Sequence, residues 1–516
     1  MKYNKYSEIK IKGDLGARCA LLSARLEAPM YRPPEVFRPS SYDWPGDWEG
    51  RAVLALCCLS AATGRTPSFL DSIVEELPSH FNSKGYLGAD RGELISEQQL
   101  SGHSWLLRGL CEYYEYRGGE NVLRMIDGIV RGLFLPAAGR YASYPVLPEQ
   151  RSGGGDMSGS EAGVVNGWVI STDTGCAYMP LDGLTHAHMI LSAHLPDGQR
   201  DEKLGQLIDE MLTEFFRIPF IEIGLQTHAT LSGCRGALRR YAETKDPGLL
   251  AGVERVFGLY RERGMTVTYA NDNWFGRPEW TEPCAIIDSY MVASQLFSLT
   301  EEPEYAELAQ LILYNGVFHA QRPNGGFGCD SCACDGVLRV HSYEAYWCCT
   351  MRAGEGLAAA GAYAVTDGGV IVYPQNVVTA VNGKRFEMIT GYPHGQSVKI
   401  RYEGGGRLYM FVPHWVSSVR CKDLGGCDEH YVYIDVPPCG ETELTLLTRT
   451  WQDESRVYDG PLLLGSENGP VKVSAEDVVR DGKGYDSRGN KLISIDKTYL
   501  LDRAAAESQS VFVKLV

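Results

Sequence analysis

The sequence predicts a mainly α plus β protein, an (α/α)6 toroid over residues 1–366 followed by a C-terminal β-sandwich over residues 367–516. Three observations predict it. Apolar residues recur at three-to-four spacing in successive pairs of segments, the signature of amphipathic helices. Short turns join the members of each pair. Near residue 365 the pattern changes to short alternating runs separated by Gly, Pro and Asn, as in sandwich strands. Eleven or twelve helices are counted, the number that six αα-hairpins need, although a solenoid of helix pairs shows the same periodicity.

Residues 1–45 read as an extended lead-in, Pro-rich around Tyr31-Arg32-Pro33-Pro34. After the turn Trp44-Pro45-Gly46, the run Ala52, Leu54, Ala55, Cys57, Cys58, Leu59 predicts a buried helix. Leu94–Tyr116 and Val122–Phe134 form the next pair. The segment from Pro136 to Pro180, which contains Ser152-Gly153-Gly154-Gly155, has few helical cues and reads as a long functional or mobile loop. Pairing resumes with Leu181–Leu195 and Leu204–Phe216, Thr227–Thr244 and Leu249–Arg263, Cys284–Leu299 and Tyr305–Ala320, and Ala345–Ala364 closes the series. Strands are expected at Val370–Tyr373, Ser397–Tyr402, Arg407–Val412, Tyr431–Val436, Thr442–Leu447, Leu462–Leu464 and Val511–Val516, the last pairing back into the sandwich.

Composition narrows the function classes. A net charge of −16 leaves no basic stripe to neutralise phosphates, which argues against a nucleic-acid partner. No run of about 18 apolar residues occurs, and Met1–Lys12 lacks the apolar core of a secretory signal, so no membrane partner and a cytoplasmic location are expected. Fifteen cysteines, an odd number, fit reduced thiols and a metal better than a disulfide framework.

The candidate chemistry is concentrated at Glu282-Pro283-Cys284 and Cys348-Cys349, three thiols and a carboxylate that make a full tetrahedral set for Zn2+. Pro283 suits the first position of a helix capped by Glu282, which puts Cys284 in the first turn, where N–H groups and the macrodipole favour a thiolate. Asp288 follows one turn later on the same face. Adjacent cysteines point apart on a strand and diverge by about 100° on a helix, so Cys348 and Cys349 share an ion only at an irregular turn or helix entrance. A second group, Cys329, Cys332 and Cys334, also has ligand-like spacing, with His341 as a fourth partner. It reads alternatively as a thiol-rich loop or as the source of a substitute ligand. The remaining cysteines read as buried small hydrophobes or loop residues.

These pieces carry a family resemblance. Glu-x-Cys opening a helix, the segment from Tyr305-Ala306-Glu307-Leu308 to Leu313-Tyr314-Asn315-Gly316, Cys348-Cys349, and Gly460-Pro461-Leu462 in the strand region together resemble the β-L-arabinofuranosidases of glycoside hydrolase family 127. The likeness spans residues 45–470 and is densest between 227 and 356. Ser101-Gly102-His103, Thr185-His186-Ala187-His188 and Thr227-His228-Ala229 look like that family's His-bearing helix starts around the sugar pocket, which implies substrate-binding roles for His103, His186 and His228, with His188 competing with His186. The resemblance further implies a retaining glycosidase acting on a carbohydrate, zinc held by Glu282, Cys284, Cys348 and Cys349, and Cys348 as nucleophile. A metal-bound thiol is deprotonated, so such a site supplies a thiolate at neutral pH.

One departure stands out. The family's acid/base glutamate lies sixteen residues before the ligand glutamate, a position held here by Thr266, and the loop Tyr269–Trp280 is rewritten. Asp272 and Glu279 are the replacements that loop offers, Asp272 the preferred one. Trp274, Trp280, Tyr346 and Trp347 flank the ligands and serve equally as sugar platforms or core packing. Two other readings remain: carboxylate chemistry through Asp272, Asp288 and Glu344 with structural zinc, and a non-catalytic, zinc-stabilised carbohydrate-binding protein. The sandwich surface is open to homodimer formation.

Overall fold

The computed structural model describes residues 1–38, 44–151, 159–196, 200–482, 484–496 and 510–516. The Ser152-Gly153-Gly154-Gly155 stretch lies outside them. Twelve helices of ten residues or more occur among the described residues: α1 Gly13–Leu26, α2 Asp47–Thr63, α3 Leu70–His80, α4 Glu97–Arg117, α5 Glu120–Ile129, α6 Pro180–Ser192, α7 Glu202–Phe215, α8 Thr227–Thr244, α9 Pro247–Arg263, α10 Pro283–Thr300, α11 Pro303–Ile312 and α12 Cys349–Ala362.

Contacts run α2–α4–α6–α8–α10–α12 and then from α12 back to α2. A solenoid has two ends. This series closes, so the helices form a toroid with six inner members. Burial separates the layers: α10 is apolar nearly all round and buried from Pro283 to Ala293, whereas outer α7 buries one face, the stripe Leu204, Leu207, Ile208, Met211, Leu212, Phe215 with Gly205 beside it. The inner ring is tight because glycine lets backbones meet. A Cβ on Gly50 of α2 would fall 2.2 Å from the Leu106 backbone nitrogen of α4, and one on Gly109 would fall 2.6 Å from the Gly50 carbonyl. Gly50→Ala should therefore destabilise the protein by about 1–3 kcal/mol or more, measured by thermal or denaturant unfolding; a neutral result would mean the α2–α4 contact yields easily.

The helix boundaries follow from local chemistry. Pro occupies the first turn of α6, α9, α10 and α11, where its missing N–H costs nothing. Gly64 ends α2 in the left-handed region.

Two expectations are corrected and a third is extended. The lead-in is not extended: α1 buries Leu15, Cys19, Leu22 and Leu26, a periodic stripe that supplies an outer helix against α12. The 136–180 segment contains a hairpin, Glu161–Val165 with Trp168–Ser171, whose second strand pairs in parallel with Ile95–Ser96 at the entrance of α4. The last strand, Val511–Phe512, does pair back into the C-terminal β region, Phe512 bridging Ser466 and Leu515 hydrogen-bonding to Ser455 and Val473, and it also pairs with Val337–Val340 beside the thiol-rich loop, a partner some 170 residues away that local pattern does not reveal.

Beyond α12 the chain forms mainly antiparallel sheets, with Val370–Ile371 joined in parallel to Gly406–Phe411. The six-stranded sheet runs Lys10–Ile11, Val377–Val381, Lys384–Thr390, Ser397–Tyr402, Gly440–Thr448, Val416–Cys421. A four-stranded sheet joins Leu424–Cys427, Tyr431–Val436, Gly406–Phe411 and Val370–Ile371, and a further six-stranded sheet covers residues 450–494. Asn315, in the π turn extending α11, donates to the Pro461 carbonyl at 2.8 Å and accepts from Leu463 N–H at 2.8 Å, so the Gly460-Pro461-Leu462 segment is fastened to the toroid.

Candidate active site and metal centre

The N-termini of the neighbouring inner helices α10 and α12 converge. Glu282 is the cap residue of α10 with extended backbone, Pro283 its first residue and Cys284 its second. Cys348 is the cap residue of α12, with φ −145° and ψ −65°, and Cys349 begins the helix. That irregular entrance turns both adjacent sulfurs inward. One ligand atom from each of Glu282, Cys284, Cys348 and Cys349 lies within 4.8 Å of all the others. The Cys349 sulfur is 3.5 Å from that of Cys284 and 3.4 Å from that of Cys348. Two helix N-termini aimed at one cluster favour negative charge there.

The four groups are not equivalent. Burial pushes the Cys284 thiol up to about 11 and holds Cys349 well above the ordinary thiol value. Hydrogen bonds from Cys284 and then Cys349 bring Cys348 down to about 6, with Arg51 assisting. Cys348 is also the only one of the three that is half-exposed. Its thiolate is thus both the most stable and the most accessible.

Around the cluster stands a shell from distant parts of the chain. Arg51 of α2 places Nη1 3.5 Å from the Cys284 sulfur, donates from Nε to the Asp47 carboxylate at 2.9 Å, and lies 4.1 Å over the Trp105 ring. Trp105 stacks on His228, ring centres 5.3 Å apart. His228 sets Nδ1 3.1 Å from Glu282 and Nε2 3.3 Å from Asp288. Burial alone would lower this imidazole, but the Glu282 and Asp288 carboxylates push it up to about 10. Asn271 accepts the Glu282 N–H at 2.9 Å, and Asn273, with its amide nitrogen turned to Glu282, donates at 2.6 Å. Beneath lies a buried charge network in which Arg108, Arg235 and Arg352 contact Asp182, Asp288 and Glu355.

The other sequence candidates lie elsewhere. His103 is fully buried, with Nε2 accepting Leu87 N–H at 3.0 Å and Nδ1 on the Gln99 carbonyl at 2.8 Å; burial lowers it to about 4. His186 touches Arg108 and sits 3.7 Å from Glu115. Asp272 accepts from the Cys334 thiol at 3.3 Å, Glu279 forms a pair with Arg277 at 2.8 Å, and His341 stacks on Trp280. Among the described residues, none of these contacts the four donors. Glu344 pairs with Arg25 at 2.9 Å and Asp288 with arginines, so two of the three carboxylates of the carboxylate-only reading are neutralised. Sequence reasoning missed Asp47, Arg51, Trp105, Asn271 and Asn273; only the Asp47–Arg51 spacing of four in a helix offered a signal.

Residues 175–361, which contain all four donors, match the sequence profile of the β-L-arabinofuranosidase GH127 catalytic domain. The protein is a glycoside hydrolase. No curated protein matches the sequence. Among solved structures, one named only as a glycoside hydrolase superimposes with TM-score 0.69 at 13% identity, covering 100% of this chain and 97% of the other. A GH127 β-arabinofuranosidase gives 0.65 at 14% identity, covering 96% and 93%. A GH127 β-L-arabinofuranosidase from Geobacillus stearothermophilus T6 gives 0.63 at 14%, covering 92% and 89%. At such identities the structural likeness speaks for the fold, and the profile match identifies a divergent GH127-like protein. No helix among the described residues is long and apolar enough to cross a membrane.

Proposed function

We propose that the protein is a zinc-dependent retaining glycosidase acting on a β-L-arabinofuranoside or closely related furanoside, with Cys348 as nucleophile. The observation that carries this reading is the convergence of Glu282, Cys284, Cys348 and Cys349 within 4.8 Å, with Cys348 alone among the thiols half-exposed. Three sulfurs and one carboxylate oxygen suit zinc better than a hard cation, and bound zinc would keep the thiols deprotonated at neutral pH. Residues 1–366 form the catalytic unit in this reading, and residues 367–516 the supporting sandwich.

In the first half-reaction the Cys348 sulfur attacks the anomeric carbon as the bond to the leaving oxygen breaks and that oxygen takes a proton, leaving a thioglycosyl bond. In the second, water loses a proton, attacks the same carbon and releases the thiolate, so configuration is retained. The proton carrier we favour is Asp47. Burial raises its carboxyl, its Oδ1 is held by Arg51, and its buried Oδ2 has no partner among the described residues. Asp272 and Glu279 remain the loop alternatives. Comparing Asp47→Asn, Asp272→Asn and Glu279→Gln on aryl furanosides separates them: the acid/base variant loses about 10²–10⁴-fold, less with a good leaving group, and recovers turnover with azide. Retention of full activity in Asp47→Asn removes it from the reaction.

Zinc removal tests the centre itself. Dialysis against a strong chelator should abolish hydrolysis and stoichiometric zinc should restore it; full activity in metal-free, reduced protein contradicts the reading.

A further inference from the structure

The thiol-rich loop carries more sulfur than the first centre uses. Cys329 turns to Cys349. Cys332 and Cys334 face the other way, toward the Asn271–Asp272 segment: the Cys334 thiol donates to Asp272 Oδ1 at 3.3 Å, and Cys332 lies near the same carboxylate. The Cys332 sulfur also lies 3.5 Å from the Asn271 carbonyl oxygen. We propose that Cys332, Cys334, Asp272 and the Asn271 carbonyl form a second site for a thiophilic divalent cation of the zinc class, separate from the Glu282 centre.

The local build favours an ion. Cys332, in extended conformation, caps the 3-10 turn Ala333–Asp335 to which Cys334 belongs, so both thiols are carried by one short segment facing the 269–281 loop. Cys334 is exposed, so rotation about its Cα–Cβ bond can bring its sulfur into the chelate. Two thiols and a carboxylate crowded together repel one another once ionised, and a divalent charge removes that repulsion. The frame is fixed on every side. Thr281 N–H donates to the Asp330 carbonyl at 2.8 Å, Asp330 N–H to the Thr281 hydroxyl at 2.9 Å, and Lys514 Nζ to the Cys334 carbonyl at 2.8 Å.

The second ion would staple the 269–281 loop to the 329–335 loop. Asn271 is the link, because its side chain accepts the Glu282 N–H at 2.9 Å. The site is therefore a positioning element for a donor of the first centre, and this role, though not the ion binding, rests on the function proposed above.

Zinc content per chain in freshly reduced protein tests it, with a Cys332→Ser/Cys334→Ser variant and a Cys284→Ser/Cys349→Ser variant. Two equivalents in the natural protein and one in each variant is the expected result. One equivalent that survives in Cys332→Ser/Cys334→Ser and vanishes in Cys284→Ser/Cys349→Ser overturns the second site and leaves the first; the reverse pattern removes the first and keeps the second. Asp272→Asn, a milder change, should weaken one equivalent by about 10–100-fold in chelator competition, and unchanged competition counts against the proposal. A Cys332–Cys334 disulfide in reduced, metal-loaded protein also overturns it.

Discussion

Cys348→Ala should lower kcat/KM on an aryl β-L-arabinofuranoside by roughly 10⁴-fold or more, because no other group replaces a missing nucleophile. The fold should persist, since Cys348 is only half-buried and caps α12 without a side-chain cap hydrogen bond. Cys349→Ala is the instructive neighbour. Its sulfur touches both of the others, at 3.5 Å from Cys284 and 3.4 Å from Cys348, so its loss should weaken zinc and raise the Cys348 thiol together. Full activity in Cys348→Ala would transfer the chemistry to a carboxylate and end the thiolate account.

The second large effect is on stability. Arg235 is fully buried, with Nη1 2.9 Å from Asp182 and 3.1 Å from Asp288, and Nη2 2.9 Å from Glu355. Arg235→Met leaves three buried carboxylates short of a partner, a change that costs about 3–5 kcal/mol. A large fall in apparent melting temperature is expected, whereas Arg407→Ala, which breaks an exposed pair with Asp435, should leave it unchanged. Burial alone would raise Asp288 and Glu355, but Arg352 and Arg235 outweigh it and hold both carboxyls well below the ordinary range. Their stabilisation is therefore present above the unfolded carboxylate value, about 4, and is lost as pH falls through the lower folded values. The gap between natural protein and variant should narrow with acidification, and a gap independent of pH would show that packing, not charge, is what Arg235 supplies.

The ligand cluster was legible because its determinants are local. Pro283 after Glu282 announces a helix start, and two adjacent cysteines sharing a centre require an irregular entrance, which Cys348 provides. Helix pairing was legible for the same reason, in the three-to-four spacing of α4, α8 and α10. What surrounds the cluster was not. Arg51 reaches Cys284 across 233 residues, a contact made only when α12 closes the ring onto α2. Arg108, Arg235 and Arg352 sit on inner helices and look, in sequence, like the solvated charges of ordinary amphipathic helices; their burial depends on partners supplied by α6, α10 and α12. Helix α1 was overlooked because the lead-in was read from its prolines and not from the Leu15, Cys19, Leu22, Leu26 stripe. Asp272 shows the same limit: its place in the rewritten loop marks it as an acid/base alternative, but the Cys334 thiol that donates to its carboxylate comes from 62 residues away and leaves no local signal.

The most direct test of the central claim is peptide mass spectrometry of the zinc-loaded protein after brief reaction with a 2-deoxy-2-fluoro-β-L-arabinofuranosyl donor bearing a good leaving group. A glycosyl adduct on the peptide containing Cys348, absent from Cys348→Ala, is the predicted result. An adduct on a carboxylate such as Asp47 or Asp272, or turnover with inverted anomeric configuration and no adduct, would contradict it.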